Sequence, residues 1–200
     1  MDRQGKLIIL SGPSGSGKST VVFRMLSERN DCCFSISATT RSAREGEVDG
    51  REYFFVTRER FLQMIRDDEL LEHAQYVSNY YGTPRAFVEE KLQNGMNVIL
   101  NIEIQGARQV FQKVPDAVTV FMLPPSLTEL RERLVLRGTE TADAIEARLT
   151  RARQEIAEAD FYRYMIFNDD VARAAKELSS IIDAEHCRFN SSGIQMILES

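Results

Sequence analysis

Leu7-Ile8-Ile9-Leu10-Ser11-Gly12-Pro13-Ser14-Gly15-Ser16-Gly17-Lys18-Ser19-Thr20 is the stretch on which the reading of this chain turns. The apolar run predicts a buried strand over 6–10, and glycines punctuate the turn that follows. Val21, Val22, Met25 and Leu26 then recur on one side of a helix predicted over 18–29. Gly12 and Gly17 bracket four residues ahead of Lys18-Ser19, the full G-x-x-x-x-G-K-[ST] pattern in its strand, loop and helix context. In such a loop, glycines let backbone N–H groups turn toward phosphate oxygens, and the helix N-terminus adds a favourable dipole. Lys18 is expected to reach the β- and γ-phosphates of a bound triphosphate, and the Ser19 hydroxyl to ligate Mg²⁺. Gly12, Pro13, Ser14, Gly15, Ser16, Gly17, Lys18, Ser19 and Thr20 are therefore the expected triphosphate-binding residues. The acceptor stays open at this point, because GTPases, motor ATPases and small-molecule kinases all use such a loop.

Working outward, apolar runs over 97–102 and 117–123 read as core strands of a sheet covered on both faces. Helical patterns over 105–113 and 171–186 alternate with them, which predicts a three-layer α/β domain. Between 35 and 95 the texture changes to short strands over 53–56 and 70–77, a short helix and polar turns, as expected of an inserted substrate-binding subdomain. The stretch 126–159 is helical and charged, with Arg131, Arg133, Arg137, Arg148, Arg151 and Arg153. Its few large apolar residues suggest a weakly anchored lid. The division is thus core 1–34, 96–125 and 164–190, subdomain 35–95, lid 126–163, and a poorly ordered tail over 191–200.

With 200 residues, 43% hydrophobic and 28% charged, the chain can build one good core with small insertions. A net charge of −5 leaves no basic surplus for a polynucleotide or an anionic membrane surface. The run at 7–10 is too short for a signal-peptide core or a membrane span, and no later run is long enough, so a cytoplasmic location is expected. Cys32 and Cys33 are adjacent and Cys187 is distant, which forms neither a disulfide framework nor a zinc-binding C-x-x-C. His73 and His186 lack carboxylate partners at a telling spacing and read as structural.

The acceptor side is carried by Ser37-Ala38-Thr39-Thr40-Arg41-Ser42-Ala43-Arg44-Glu45-Gly46-Glu47-Val48-Asp49-Gly50-Arg51-Glu52-Tyr53: two arginines three apart, a glycine-bearing turn, then a tyrosine opening a strand. This segment resembles the guanylate kinases. The likeness continues through Glu72, Tyr80-Tyr81-Gly82-Thr83, Ile104-Gln105-Gly106, Pro124-Pro125-Ser126, Arg137-Gly138-Thr139-Glu140-Thr141, Arg148 and Asn168-Asp169, in order and spacing. It implies a P-loop NTPase fold with a central, mostly parallel sheet, an inserted GMP-binding subdomain and a helical lid. It also implies transfer of the ATP γ-phosphoryl to GMP, with Mg²⁺ as cofactor. ATP and GMP are the implied partners, dGMP is left open as a second acceptor, and the chain is expected to be a monomer or homodimer.

The chemistry of the matched residues agrees with that implication. Arg41 and Arg44 can fork onto a phosphate while Tyr53 and Tyr81 donate hydroxyls to it. Guanine presents two adjacent donors, N1–H and the N2 amino group, and the Glu72 carboxylate can accept both; adenine would face it with an acceptor instead. The resemblance places Ser37 and Thr83 at guanine O6, with Gly82 beside them. It makes Arg137 and Arg148 lid cations at the transferring phosphoryl, with Lys18 and Arg41 as further catalytic residues, and sets Asn168 and Asp169 near adenine. Arg133, four residues before Arg137, shares its helical face.

One departure stands out. Guanylate kinases carry Asp-x-Asp before the Gln-Gly pair, and this chain has Asn101-Ile102-Glu103. Glu103 keeps the charge with a carboxylate displaced by about 1.5 Å, and is expected at the acceptor or, through water, at the metal. Two rivals remain at this stage. A kinase for a phosphorylated sugar would have no use for Glu72, Ser37 and Thr83. A non-catalytic phosphopeptide-binding module would have no use for an intact Lys18-Ser19.

Overall fold

The computed structural model describes residues 4–136, 138 and 141–188. Arg137 and the predicted tail 191–200 lie outside the described residues. The chain opens with β1 (Leu7–Ser11), α1 (Lys18–Leu26) and β2 (Cys32–Phe34). An excursion follows through β3 (Ala38–Thr39), β4 (Phe54–Phe55), α2 (Arg58–Arg66), β5 (Leu70–Tyr76), β6 (Asn79–Pro84) and α3 (Arg85–Gln93). It returns through β7 (Asn97–Asn101), α4 (Ile104–Lys113) and β8 (Val118–Leu123). The helices α5 (Leu127–Leu136) and α6 (Ala142–Ala157) lead to β9 (Tyr164–Phe167) and α7 (Val171–His186).

The main sheet runs β2-β7-β1-β8-β9 with every pairing parallel, and β1 is central. Alternation along β1 builds both faces. Ile8 and Leu10 join Val21, Val22 and Met25 of α1 and Ala174, Leu178 and Ile182 of α7. Leu7 and Ile9 point the other way, to Val88 of α3 and to Ala107 and Val110 of α4. The result is the expected three-layer α/β fold. Each fully buried Leu or Ile in these layers contributes about 1.5–3 kcal/mol.

The second sheet, β4-β3-β6-β5, is antiparallel apart from the β3–β4 pair. Ala38, Phe61, Met64 and Leu70 close it against α2, whose first turn is capped by the Thr57 hydroxyl accepting from the Arg60 N–H at 3.1 Å. Leu71 of β5 packs into the lower core, tying this sheet to the main one.

The charged segment 126–159 holds more apolar packing than its composition suggests. It forms two helices that bury Leu130, Leu134, Ile145, Leu149 and Ala152 between them, with Leu127 alongside. Leu130 and Leu134 also crowd Gly15 of the phosphate loop. The two helices are therefore held to each other by an apolar core of their own, which interleaved arginines and glutamates hide from a composition count.

Candidate active site

Glycine geometry shapes the loop between β1 and α1. Gly17 has φ +89° and caps α1 without a side-chain hydrogen bond, so the first-turn N–H groups stay open toward the cleft. A Cβ at Gly17 would also run into the Asn168 amide. That amide donates to the Ser16 carbonyl at 2.7 Å and is itself buried, so the turn between β9 and α7 buttresses the loop from behind. Lys18 Nζ donates to the carbonyls of Gly12 at 2.5 Å and Pro13 at 3.2 Å, curling back over its own loop.

Above this loop lies a cleft of about 640 Å³, lined on the loop side by Gly12, Ser14, Gly15 and Gly17 to Thr20. Its opposite wall comes from α6 and the end of β7. Arg148 Nη1 donates to Ser14 Oγ at 2.8 Å. Arg151 joins Glu103 at 2.6 Å and Glu155 at 3.0 Å. Burial pushes the Glu155 carboxyl upward although Arg151 opposes the shift. Asn101 Nδ2 donates to Ser19 Oγ at 3.1 Å, so the amide that stands where an acid was expected touches the hydroxyl predicted to hold metal.

A second cleft, of about 420 Å³, opens on the other side of Asn101 and Ile102, which line both. Ser37, Tyr53 and Thr83 face it, opposite Phe23 and Phe34. Behind Thr83 lies Glu72, 6% exposed, its carboxylate accepting from the Thr83 hydroxyl at 2.6 Å. Gly106 keeps this place open, since a Cβ there would sit 2.9 Å from Glu72 Oε2. Burial raises the Glu72 pKa above its ordinary value, with the Thr83 hydrogen bonds opposing.

At the rim, the Arg41 guanidinium lies 5.3 Å above the Tyr53 ring, whose centroid is 6.1 Å from that of Tyr81. Arg41 is held by Glu47 through two hydrogen bonds of 2.9 Å. In turn Arg41 keeps the Glu47 carboxyl below its usual range, aided by the Arg44 backbone N–H. Arg44 itself is exposed, and Gly82 is buried in β6 opposite His73.

Several expected residues lie outside the cleft expected for them. Pro13 and Ser16 are buried under the loop. Arg133 donates to the Asn168 carbonyl at 2.9 Å and to Glu129 at 3.1 Å, while Asp169 pairs with Arg173, so these gather behind the loop. Glu103 lines the cleft over the phosphate loop and not the Ser37–Tyr53–Thr83 cleft, because Arg151 of α6 draws it that way. Sequence reasoning left Arg151, Glu155 and Glu47 out of the site. Arg148, Arg151 and Glu155 follow at three- and four-residue steps, the spacing of one helical face, and that was the available signal.

Comparison with known proteins agrees with this geometry. The guanylate kinase family model matches residues 4–185. A guanylate kinase of Bacillus cereus is 54% identical over 187 residues, 93% of this chain and 91% of its own length. One from Oceanobacillus iheyensis is 52% identical, covering 92% of this chain and 90% of its own. The solved structure of a guanylate kinase from Anaplasma phagocytophilum aligns with a TM-score of 0.73 and 35% identity, over 93% of this chain and 88% of that one. A central parallel sheet, a complete phosphate loop and a neighbouring cleft backed by a buried glutamate thus coincide with end-to-end similarity, and the chain belongs to the guanylate kinase family.

Proposed function

We propose that this enzyme transfers the γ-phosphoryl group of Mg·ATP to GMP, giving ADP and GDP. The observation that carries the reading is the pair of clefts meeting at Asn101 and Ile102, one over the phosphate loop and one in front of Glu72. In-line transfer needs donor and acceptor phosphates to meet between two such seats.

On the donor side, the open N–H groups at the start of α1 receive the phosphates, and Lys18 exchanges the Gly12 and Pro13 carbonyls for phosphate oxygens. Ser19 offers a hydroxyl, a hard neutral donor that suits Mg²⁺, and Asn101, whose Nδ2 donates to that hydroxyl in the structure, would have to turn its amide oxygen inward to join it. When bound, that ion neutralises charge on the β- and γ-oxygens. Arg148, already at Ser14, supplies a cation from α6, and Arg137 is assigned a second on the sequence match alone. Arg133, Asn168 and Asp169 support the loop and the adenine side.

On the acceptor side, Arg41, Arg44, Tyr53 and Tyr81 bind the GMP phosphate. Its oxygens are ionised at neutral pH, so the attacking group requires no strong base. Glu72 accepts from guanine N1–H and N2–H; the Thr83 hydroxyl, which donates to Glu72 in the structure, turns to O6 as those donors arrive, with Ser37 donating beside it and Gly82 keeping the strand close. A sugar phosphate would bring no base donors to the buried Glu72, leaving it only the Thr83 hydrogen bonds. A non-catalytic binding module would gain nothing from Lys18, Ser19 and Arg148. The regions 35–95 and 126–163 act in this scheme as acceptor subdomain and lid. Among the described residues no helix is long and apolar enough to cross a membrane, and a cytoplasmic enzyme is the location we propose.

The reading is tested with an adenosine–guanosine pentaphosphate, in which one molecule spans both seats. It should bind one to one and compete with ATP and with GMP alike. Competition with only one of them would reject the paired-cleft reading.

A further inference from the structure

Glu47 lies between β3 and β4 in the loop that carries Arg41 and Arg44. Its Oε1 accepts from Arg41 Nη2 at 2.9 Å, and its Oε2 accepts from Arg41 Nη1 at 2.9 Å and from the Arg44 backbone N–H at 2.7 Å. Both side chains are largely covered, 15% exposed for Arg41 and 18% for Glu47. Arg41 Nη1 donates its other hydrogen to the Ser42 carbonyl at 2.7 Å.

A guanidinium has five N–H donors in one plane. Glu47 takes one from each Nη and Ser42 takes a third, all at the end of the group. The remaining pair, on Nε and the outer side of Nη2, lies along one edge with the parallel spacing that two phosphate oxygens accept. The Tyr53 ring covers one face of the same group, with Phe55 5.7 Å from its centre. The Tyr81 hydroxyl lies within hydrogen-bonding reach of the same guanidinium and would meet the phosphate there with it. Rotation of Arg41 about its stem is therefore blocked by a carboxylate at the end and rings at the side.

We propose that Glu47 is a positioning residue for acceptor-phosphate recognition: it ties Arg41 and the Arg44 backbone together, so that the Nε–Nη2 edge of Arg41 is presented to the phosphate of the nucleoside monophosphate. The inference rests on the reading of this pocket as the GMP site. It opposes what net charge alone predicts. Removing an acid from beside a dianionic ligand should tighten binding by simple Coulomb attraction, whereas loss of a positioning carboxylate should weaken it. The same sign separates this role from that of a carboxylate merely occupying the phosphate's seat, whose removal would also tighten binding.

The test is Glu47→Gln in the full chain, with steady-state kinetics in both substrates and calorimetric titration of GMP alone. The amide preserves shape but offers one acceptor in place of two. The expected result is a GMP KM and Kd raised about tenfold, kcat within about twofold and an unchanged ATP KM. Glu47→Asp should fall between wild type and Glu47→Gln. It serves as the judge, by the same measurements, if the glutamine variant does not fold. In an Arg41→Lys background, where no fork remains to be aimed, Glu47→Gln should add less than about twofold. A GMP affinity that is unchanged or tighter in Glu47→Gln, or full additivity with Arg41→Lys, would overturn the proposal. Absence of wild-type GMP turnover would instead strike the proposed function, and is scored separately from the variant-to-wild-type ratios.

Discussion

Replacing Glu72 by glutamine should move function and stability in opposite directions. The carboxylate is buried and already accepts from the Thr83 hydroxyl at 2.6 Å, with Gly106 leaving just enough space on the far oxygen. Guanine brings two donors to it. Glutamine offers one oxygen and one amino group, so at least one base donor meets another donor in a dry site. Losing one charge-assisted hydrogen bond costs about 1.5–3 kcal/mol and leaving a buried donor unpaired adds about 1 kcal/mol or more. A total of about 3 kcal/mol corresponds to a fall in kcat/KM for GMP of about two orders of magnitude.

The stability effect has the other sign. Burial raises the folded-state pKa of Glu72 above its ordinary 4.5, so the folded protein binds more protons than the unfolded chain in the window from about 4.5 upward. Stability therefore falls as pH rises through that window, and a glutamine, which does not titrate, escapes the loss. Thermal melts from pH 4 to pH 8 should show the variant gaining on wild type as pH rises. A GMP kcat/KM within about twofold of wild type, or a Tm difference that shrinks with rising pH, would refute this reasoning.

Asn168→Ala removes the amide that donates to the Ser16 carbonyl at 2.7 Å and empties the contact against Gly17. Urea unfolding should report a loss of about 1–3 kcal/mol, together with a raised ATP KM and an unchanged GMP KM. Val77, 81% exposed at the tip of the β5–β6 hairpin, holds φ at +56°, a conformation that a β-branched residue adopts only under strain. Val77→Gly should therefore raise the stability measured in urea by about 1 kcal/mol, the relieved strain exceeding the added freedom of the unfolded chain.

The main sheet was readable because its strands β1, β7 and β8 are continuous apolar runs, and the phosphate loop because its glycines and Lys18-Ser19 sit between strand and helix. β2 escaped notice: Cys32-Cys33-Phe34 is three residues long and becomes a strand by pairing with Asn97 to Ile99. β6 is similar, a polar stretch with Gly82 and Pro84 that is extended because β5 and β3 flank it. The anchoring of α5 on α6 was hidden because Leu130, Leu134, Ile145 and Leu149 are spaced among charges, and only their meeting in three dimensions makes a core. At the site, Glu72 was legible as chemistry before its burial was known. Glu47 was not, since an acid three residues past Arg44 reads as a solvated turn until the loop folds it onto Arg41. Glu103 points toward Arg151 for the same reason: its partner lies 48 residues away on another helix.

Acceptor choice is the most direct test of the guanine-reading role of Glu72. ADP release from Mg·ATP, followed in a coupled assay with GMP, dGMP, AMP, CMP, UMP and ribose 5-phosphate offered singly, should show turnover with the guanine nucleotides only. Strong turnover of AMP or of the sugar phosphate, with GMP inert, would contradict it.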